Sequence, residues 1–152
     1  MSHPKIVQNI ADFLSKIERK NNTIVFTNGC FDLLHEGHLH LLKEAKKLGT
    51  ILLVAVNEDA SVQRLKGNTR PIESLEIRMQ KLAEISEVDY IISFSEDTPF
   101  LLIKTIQPNI LVKGGDYKMK EVVGREFVQQ VVLIPLLAGY STTKLIERKH
   151  NL

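Results

Sequence analysis

The sequence predicts an α/β, doubly wound fold, with about five parallel strands in one sheet and helices on both of its faces. Three observations predict it. The run Ile51-Leu52-Leu53-Val54-Ala55-Val56 has no polar alternation, as expected of a parallel strand buried on both faces. Short apolar runs alternate with helical patterns about five times along the chain, the order that right-handed β-α-β crossovers need. No repeat, low-complexity tract or linker interrupts the alternation. The whole of 1–152 therefore reads as one domain, an N-terminal helix in 1–21 followed by a core over 22–149.

The elements follow in order. Ile6, Ile10, Phe13, Leu14 and Ile17 recur at helical spacing, so the first twenty residues read as an amphipathic helix against the main body. Residues 23–27 form the first strand, and a helix over 37–48 follows it. The second strand is 51–56. Pro71 starts a helix carrying Leu75, Arg78, Met79 and Leu82, and the third strand is 90–94. Thr98-Pro99 reads as an N-cap and first helical residue. Strands over 110–112 and 131–134 come next, and Ser141 caps a last helix through Arg148.

Composition narrows the function classes. With 152 residues, 43% hydrophobic and 25% charged, the chain is an ordinary globular one, long enough for a proper core. Twenty basic against eighteen acidic residues leave a charge of +2, too little for a nucleic-acid footprint or a polybasic membrane surface. No apolar run approaches the roughly 20 residues needed to span a bilayer. The polar start Met1-Ser2-His3-Pro4-Lys5 lacks the order of a secretory signal, so a cytoplasmic location is expected. The single cysteine, Cys30, cannot form an internal disulfide, and beside Phe31 it reads as a small buried side chain rather than a nucleophile.

On open α/β sheets, ligands bind beyond the carboxyl ends of the strands, near the point where strand order reverses. After the first strand come Asn28, Gly29, Cys30, Phe31, Asp32, His35, Gly37 and His38; after the second come Asn57, Asp59, Arg64 and Lys66. Lys113, Gly114, Gly115 and Asp116 follow the fourth, and Ser141, Thr142 and Thr143 the fifth. All four groups suit a phosphate-rich ligand. His35 and His38 stand three apart at a helix start, where they share a face and the helix dipole is positive, so they can converge on one anion. Phosphoryl and nucleotidyl transfers need mainly positioning and charge stabilisation, which such a set supplies without a nucleophile. Lys66 and Arg64 suit outer phosphates and a pyrophosphate leaving group.

Two other readings compete. Asp32, His35 and His38 have the spacing of a D-x-x-H-x-x-H metal set, although Asp32 precedes the helix and no fourth ligand cluster is evident, so no metal ligand is assigned. The histidines can also be simple caps or core polar residues. That bland reading weakens because cationic and hydroxyl groups gather at the same predicted edge. Lys43, Lys46 and Lys47 read as a solvated helix face, and His3, His40 and His150 belong to no constellation.

Residues 27–38, Thr-Asn-Gly-Cys-Phe-Asp-Leu-Leu-His-Glu-Gly-His, resemble the signature of the cytidylyltransferase-like nucleotidyltransferase superfamily, whose fold is Rossmann-like and whose H-x-G-H histidines bind nucleotide phosphates. The resemblance extends through 54–62, Arg70-Pro71-Ile72 with Arg78, Val88-Asp89-Tyr90 and 141–146, covering nearly all of 22–149. Within the superfamily, Leu111-Val112-Lys113-Gly114-Gly115-Asp116-Tyr117 is most similar to the adenylyltransferases acting on D-glycero-β-D-manno-heptose 1-phosphate. Those are often the second domain of a kinase fusion. Glycerol-3-phosphate cytidylyltransferases usually carry an Arg-Thr-Glu-Gly run where this chain reads Leu136-Leu137-Ala138-Gly139.

The resemblance implies adenylyl transfer from ATP to the heptose 1-phosphate, with Mg²⁺ bridging phosphate oxygens and a homodimer as the usual assembly. It implies catalytic roles for His35, His38 and Lys66, and nucleotide contacts by Asn28, Gly29, Cys30, Phe31, Gly37, Lys113, Gly115, Ser141, Thr142 and Thr143. Substrate contacts fall to Asp32, Arg64, Arg70, Arg78 and Asp116. A cytidylyltransferase of glycerol 3-phosphate and a non-catalytic nucleotide sensor are the alternatives.

Overall fold

A computed structural model describes residues 3–115 and 121–135. Its centre is a five-stranded, all-parallel sheet built from β1 (Ile24–Gly29), β2 (Ile51–Asn57), β3 (Tyr90–Phe94), β4 (Ile110–Gly114) and β5 (Gln130–Ile134). The strand order is β3-β2-β1-β4-β5. The chain runs outward one way from β1 through β2 to β3, then returns to β4 on the other side of β1. The reversal therefore lies between β1 and β4, where a doubly wound sheet opens a ligand crevice.

Every residue of β2 is buried, as its unbroken apolar run requires. Alternate side chains of the strands feed two separate cores. Val25, Leu52, Val54 and Ile91 pack with Leu42 and Ala45 of α2 (Glu36–Lys46) and Leu82 of α4 (Leu75–Ala83). On the other face Ile24, Phe26, Leu53 and Ile92 pack with Phe13 of α1 (Ile10–Lys16) and with Ile103 and Ile106 of α5 (Phe100–Ile106). The remaining helix, α3 (Asp59–Lys66), follows β2. None of the described helices is long and apolar enough to cross a membrane.

Three element boundaries differ from the sequence expectation. The first helix is only α1, because the Asn9 side chain caps it by accepting from the Asp12 N–H at 2.8 Å. Ile6 instead lies in extended backbone beside β3, where Val7 N–H donates to Ile91 O at 2.9 Å and Ile91 N–H to Lys5 O at 2.8 Å. This segment covers a sheet edge that would otherwise present unpaired main-chain groups. The helix expected from Pro71 starts instead after Ser74, whose hydroxyl accepts from the Ile77 N–H. Pro71 sits in the preceding loop behind a cis peptide bond. Pro99, not Thr98, occupies the N-cap of α5. The helix expected from Ser141 lies outside the described residues, as do Asp116, Thr142 and Thr143.

Candidate active site

The loop from β1 to α2 builds the centre of the site. Phe31 (φ +51°) and Leu33 (φ +59°) both take left-handed backbone, which costs a non-glycine residue about 1–2 kcal/mol and persists only where the surroundings fix it. Asp32 between them supplies that fixation. Its fully buried carboxylate accepts from Ile72 N–H at 2.8 Å, Glu73 N–H at 2.9 Å and Arg70 Nε at 2.9 Å. Burial alone would raise the Asp32 pKa; these donors outweigh it and hold the carboxyl below the usual carboxylate range. The loop after β1 and the loop before α4 are thereby locked together.

The two histidines cap α2 reciprocally. His35 Nδ1 accepts from Gly37 N–H at 3.1 Å, and His38 Nδ1 accepts from His35 N–H at 3.3 Å. The rings stack with centroids 3.9 Å apart. An imidazole accepting at Nδ1 must be neutral at that nitrogen, so each ring carries its proton on Nε2 and presents one N–H donor. Burial, then the neighbouring His35, then Lys66 push the His38 pKa down to about 3; burial also lowers that of His35. Both rings are neutral at pH 7. His35 Nε2 is buried and has no hydrogen-bond partner among the described residues, an unmet donor of the kind functional sites carry.

A cleft of about 360 Å³ opens over the carboxyl ends of the strands. Asn28, Gly29 and Cys30 lie at its β1 end, with Phe31, Asp32 and His38 beside them. Lys66 at the end of α3, Arg70 in the next loop and Lys113 at the end of β4 add three cationic side chains. Lys113 Nζ donates to Asn28 Oδ1 at 3.0 Å, bridging β1 and β4 at the reversal point, and burial lowers its pKa. Burial raises the Cys30 pKa, which keeps the thiol protonated and fits a packing role. These cations share the lining with the carboxylates of Asp32, Asp97 and Glu121, so the cleft offers charges of both signs.

Five expected contacts stand off the cleft lining, the first being His35, whose ring stacks on the His38 ring that does line it. Arg78 is fully buried, and its guanidinium donates to Cys30 O and Asn57 O at 2.7 Å, Glu73 O at 3.0 Å and Asp59 Oδ1 at 2.7 Å. It ties the ends of β1 and β2 together from beneath, and its donors face the protein rather than a substrate. Arg64 points outward, giving its Nε to Asp97 Oδ1 at 2.8 Å and an Nη to Ser95 O at 2.5 Å. Gly37 is buried in the first turn of α2, behind the cleft wall. Gly115 (φ +104°) turns the chain after β4, its N–H donating to Ile134 O at 3.0 Å, and also stands off the cleft. Asp32 lines the cleft, but its oxygens orient the loops. That engagement removes it from a metal set with the histidines, and among the described residues no three His, Cys, Asp or Glu side chains cluster to hold a metal.

Asn57, named after the second strand, lines the cleft, and so do Leu65, Asp97, Thr98, Pro99, Glu121 and Val123, to which the sequence assigns no site role. The strand-end rule applied to β3 would have found Asp97 to Pro99, and Asn57 already stood at the end of β2. Leu65, Glu121 and Val123 carry no sequence signal for this position.

Comparison with known proteins agrees with this geometry. "Bifunctional protein HldE" of Helicobacter hepaticus is 52% identical over 143 residues, covering 94% of this chain and 30% of that protein. Its namesake from Nitratiruptor sp. is 53% identical over 141 residues, 92% of this chain and 30% of the relative. The chain thus spans about a third of the length of these curated relatives. A lipopolysaccharide core biosynthesis protein from Thermoplasma volcanium superposes with a TM-score of 0.64 at 30% identity, covering 77% of this chain and 98% of that one. Pantoate-beta-alanine ligase from Francisella tularensis shares the fold, with a TM-score of 0.68 at 21% identity over 97% of this chain and 72% of its own. The cytidylyltransferase-like family model matches residues 26–148, a span that runs from β1 past β5 and takes in every described residue of the cleft. A neutral histidine pair heading α2 above the β1/β4 reversal is therefore the local chemistry of a chain that belongs to the cytidylyltransferase-like family.

Proposed function

We propose that this chain is a nucleotidyltransferase that moves AMP from ATP to D-glycero-β-D-manno-heptose 1-phosphate, giving ADP-heptose and pyrophosphate, a step toward lipopolysaccharide core. The observation that carries the chemistry is the pair of neutral, Nε2-protonated imidazoles at the head of α2, beside a cleft lined by Lys66, Arg70 and Lys113. The choice of substrate is supported by identity above 50% to the HldE proteins over nearly the whole chain, and by the resemblance in residues 111–117.

In this reading a phosphate oxygen of the acceptor forms a bond to the α-phosphorus of ATP. The bond from that phosphorus to the oxygen bridging the α- and β-phosphates breaks, and pyrophosphate leaves with that oxygen and the electron pair. The Nε2–H groups of His38 and His35 donate to phosphate oxygens and stabilise the charge that develops there; neither ring needs to gain or lose a proton. Lys66 holds the β- and γ-phosphates or the acceptor phosphate, and Lys113 with Asn28 faces the nucleotide at the reversal point. Ser141, Thr142 and Thr143 are assigned to the nucleotide by the resemblance alone. Mg²⁺ would supply charge neutralisation between phosphate oxygens, which fits a donor set in which Asp32 is already engaged. A homodimer in the cytoplasm completes the proposal.

The test is pyrophosphate release from ATP or CTP, each paired with heptose 1-phosphate or glycerol 3-phosphate. ATP with the heptose should give the highest kcat/KM. A signal confined to CTP and glycerol 3-phosphate would replace the proposed substrates, and silence in all four pairs would favour a nucleotide sensor.

A further inference from the structure

The cleft extends past His38 to the loop after β3, where Asp97 and Thr98 line it. β3 and β4 stand three strand spacings apart in the sheet, about 14 Å. A nucleotide seated at the β1/β4 reversal therefore leaves the β2–β3 end free for a second ligand. Charge sorts that ligand's orientation. Lys66 and Arg70 lie toward the centre, Glu121 belongs to the β4 side, and Asp97 brings a carboxylate to the β3 end. A phosphate is drawn to the cations and repelled by Asp97, whereas hydroxyl groups donate well to a carboxylate.

Arg64 fixes that carboxylate. Its Nε donates to Asp97 Oδ1 at 2.8 Å while an Nη holds Ser95 O, so α3 sets the side chain's place relative to Lys66 one residue pair further along. The two side chains are 50% and 58% exposed, and an ion pair so open to water adds little to stability. Its consequence is positional: Arg64 holds Oδ1 of a carboxylate that lines the cleft, and the second oxygen adds further acceptor capacity there. We propose that Asp97, positioned by Arg64 and assisted by the Thr98 hydroxyl, recognises hydroxyl groups of the sugar phosphate and sets acceptor specificity. This rests on the adenylyl-transfer reading above.

Kinetics of pyrophosphate release in the full chain test it, with ATP and heptose 1-phosphate varied separately. Asp97→Asn keeps the shape and removes the charge, and should raise KM for the sugar phosphate about tenfold or more while KM for ATP stays within about twofold. Arg64→Ala should move the same parameter in the same direction by less. Deoxy analogues of the acceptor locate the contact: the one lacking the recognised hydroxyl should lose affinity in the wild type and show no further loss in Asp97→Asn. An active wild type with an unchanged acceptor KM in Asp97→Asn overturns the role of Asp97 and leaves the transferase reading standing. An equal rise in both KM values also overturns it. A wild type silent with every sugar phosphate removes the reading itself and this inference with it.

Discussion

Arg78 offers the sharpest test of how the cleft is built. Arg78→Met preserves a long, flexible side chain but deletes the guanidinium that four acceptors share. The bond to Asn57 O is fully buried, so that carbonyl loses its donor with no water to replace it, at about 1–3 kcal/mol. Cys30 O and Glu73 O are partly accessible and recover some hydration, and the half-exposed Asp59 carboxylate rehydrates freely. The sum is about 3 kcal/mol, near the low end of what removing one partner of a buried ion pair costs. That is a large share of the ~5–15 kcal/mol typical of a whole domain. Arg78→Lys restores charge but not the planar fork, and should recover only part of the loss. Urea unfolding followed by circular dichroism measures both. Because Cys30 and Asn57 line the cleft, Arg78→Lys should also lower kcat/KM for both proposed substrates in the folded chain. A loss below about 1 kcal/mol in Arg78→Met would refute the view that this side chain holds the strand ends together.

The histidines combine two roles that substitution can separate. Glutamine at the third helical position can accept from the N-cap N–H, so His38→Gln should stay within about 1 kcal/mol of wild type in stability. It should still lose about 10²–10³ in kcat, the usual cost of a charge-stabilising donor; retention of more than a tenth of the rate would remove His38 from catalysis. Stability should also fall on mild acidification. His38 titrates near 3 in the folded chain against 6.5 when unfolded, so the unfolded state binds the extra proton below pH 6.5. The neutral ring's contribution is therefore complete above 6.5 and declines between there and 3, by roughly 2 kcal/mol at pH 5. Asp32, whose folded pKa is lowered, adds a further loss only near and below its unfolded value of 3.8. Urea midpoints at pH 7 and 5 would show this, and a flat response would contradict neutral capping histidines.

Strand positions were legible because each is a short apolar run, and burial on two faces leaves that pattern no alternative. Helix starts were less legible. Pro71 and the isoleucine spacing from Ile6 both suit a helix locally, but Ser74 and Asn9 provide the caps, and Ile6 satisfies the β3 edge instead. Asp32, Arg64 and Arg78 show the same limit within the site. A charged residue near a motif can meet a ligand or a neighbour, and the neighbour comes from a segment far away in sequence: Arg70 with Ile72 and Glu73 for Asp32, Asp97 for Arg64, Cys30 with Asn57 for Arg78.

By itself the sequence determined the alternating strands and helices, the parallel sheet and the histidine pair at a helix start, since all are set by local periodicity and spacing. Only the tertiary structure decided which cations face the cleft, that the imidazoles are neutral donors capping α2, and that Asp97 joins them from β3. Those depend on burial and on contacts between distant segments, and both are properties of the folded chain rather than of its order.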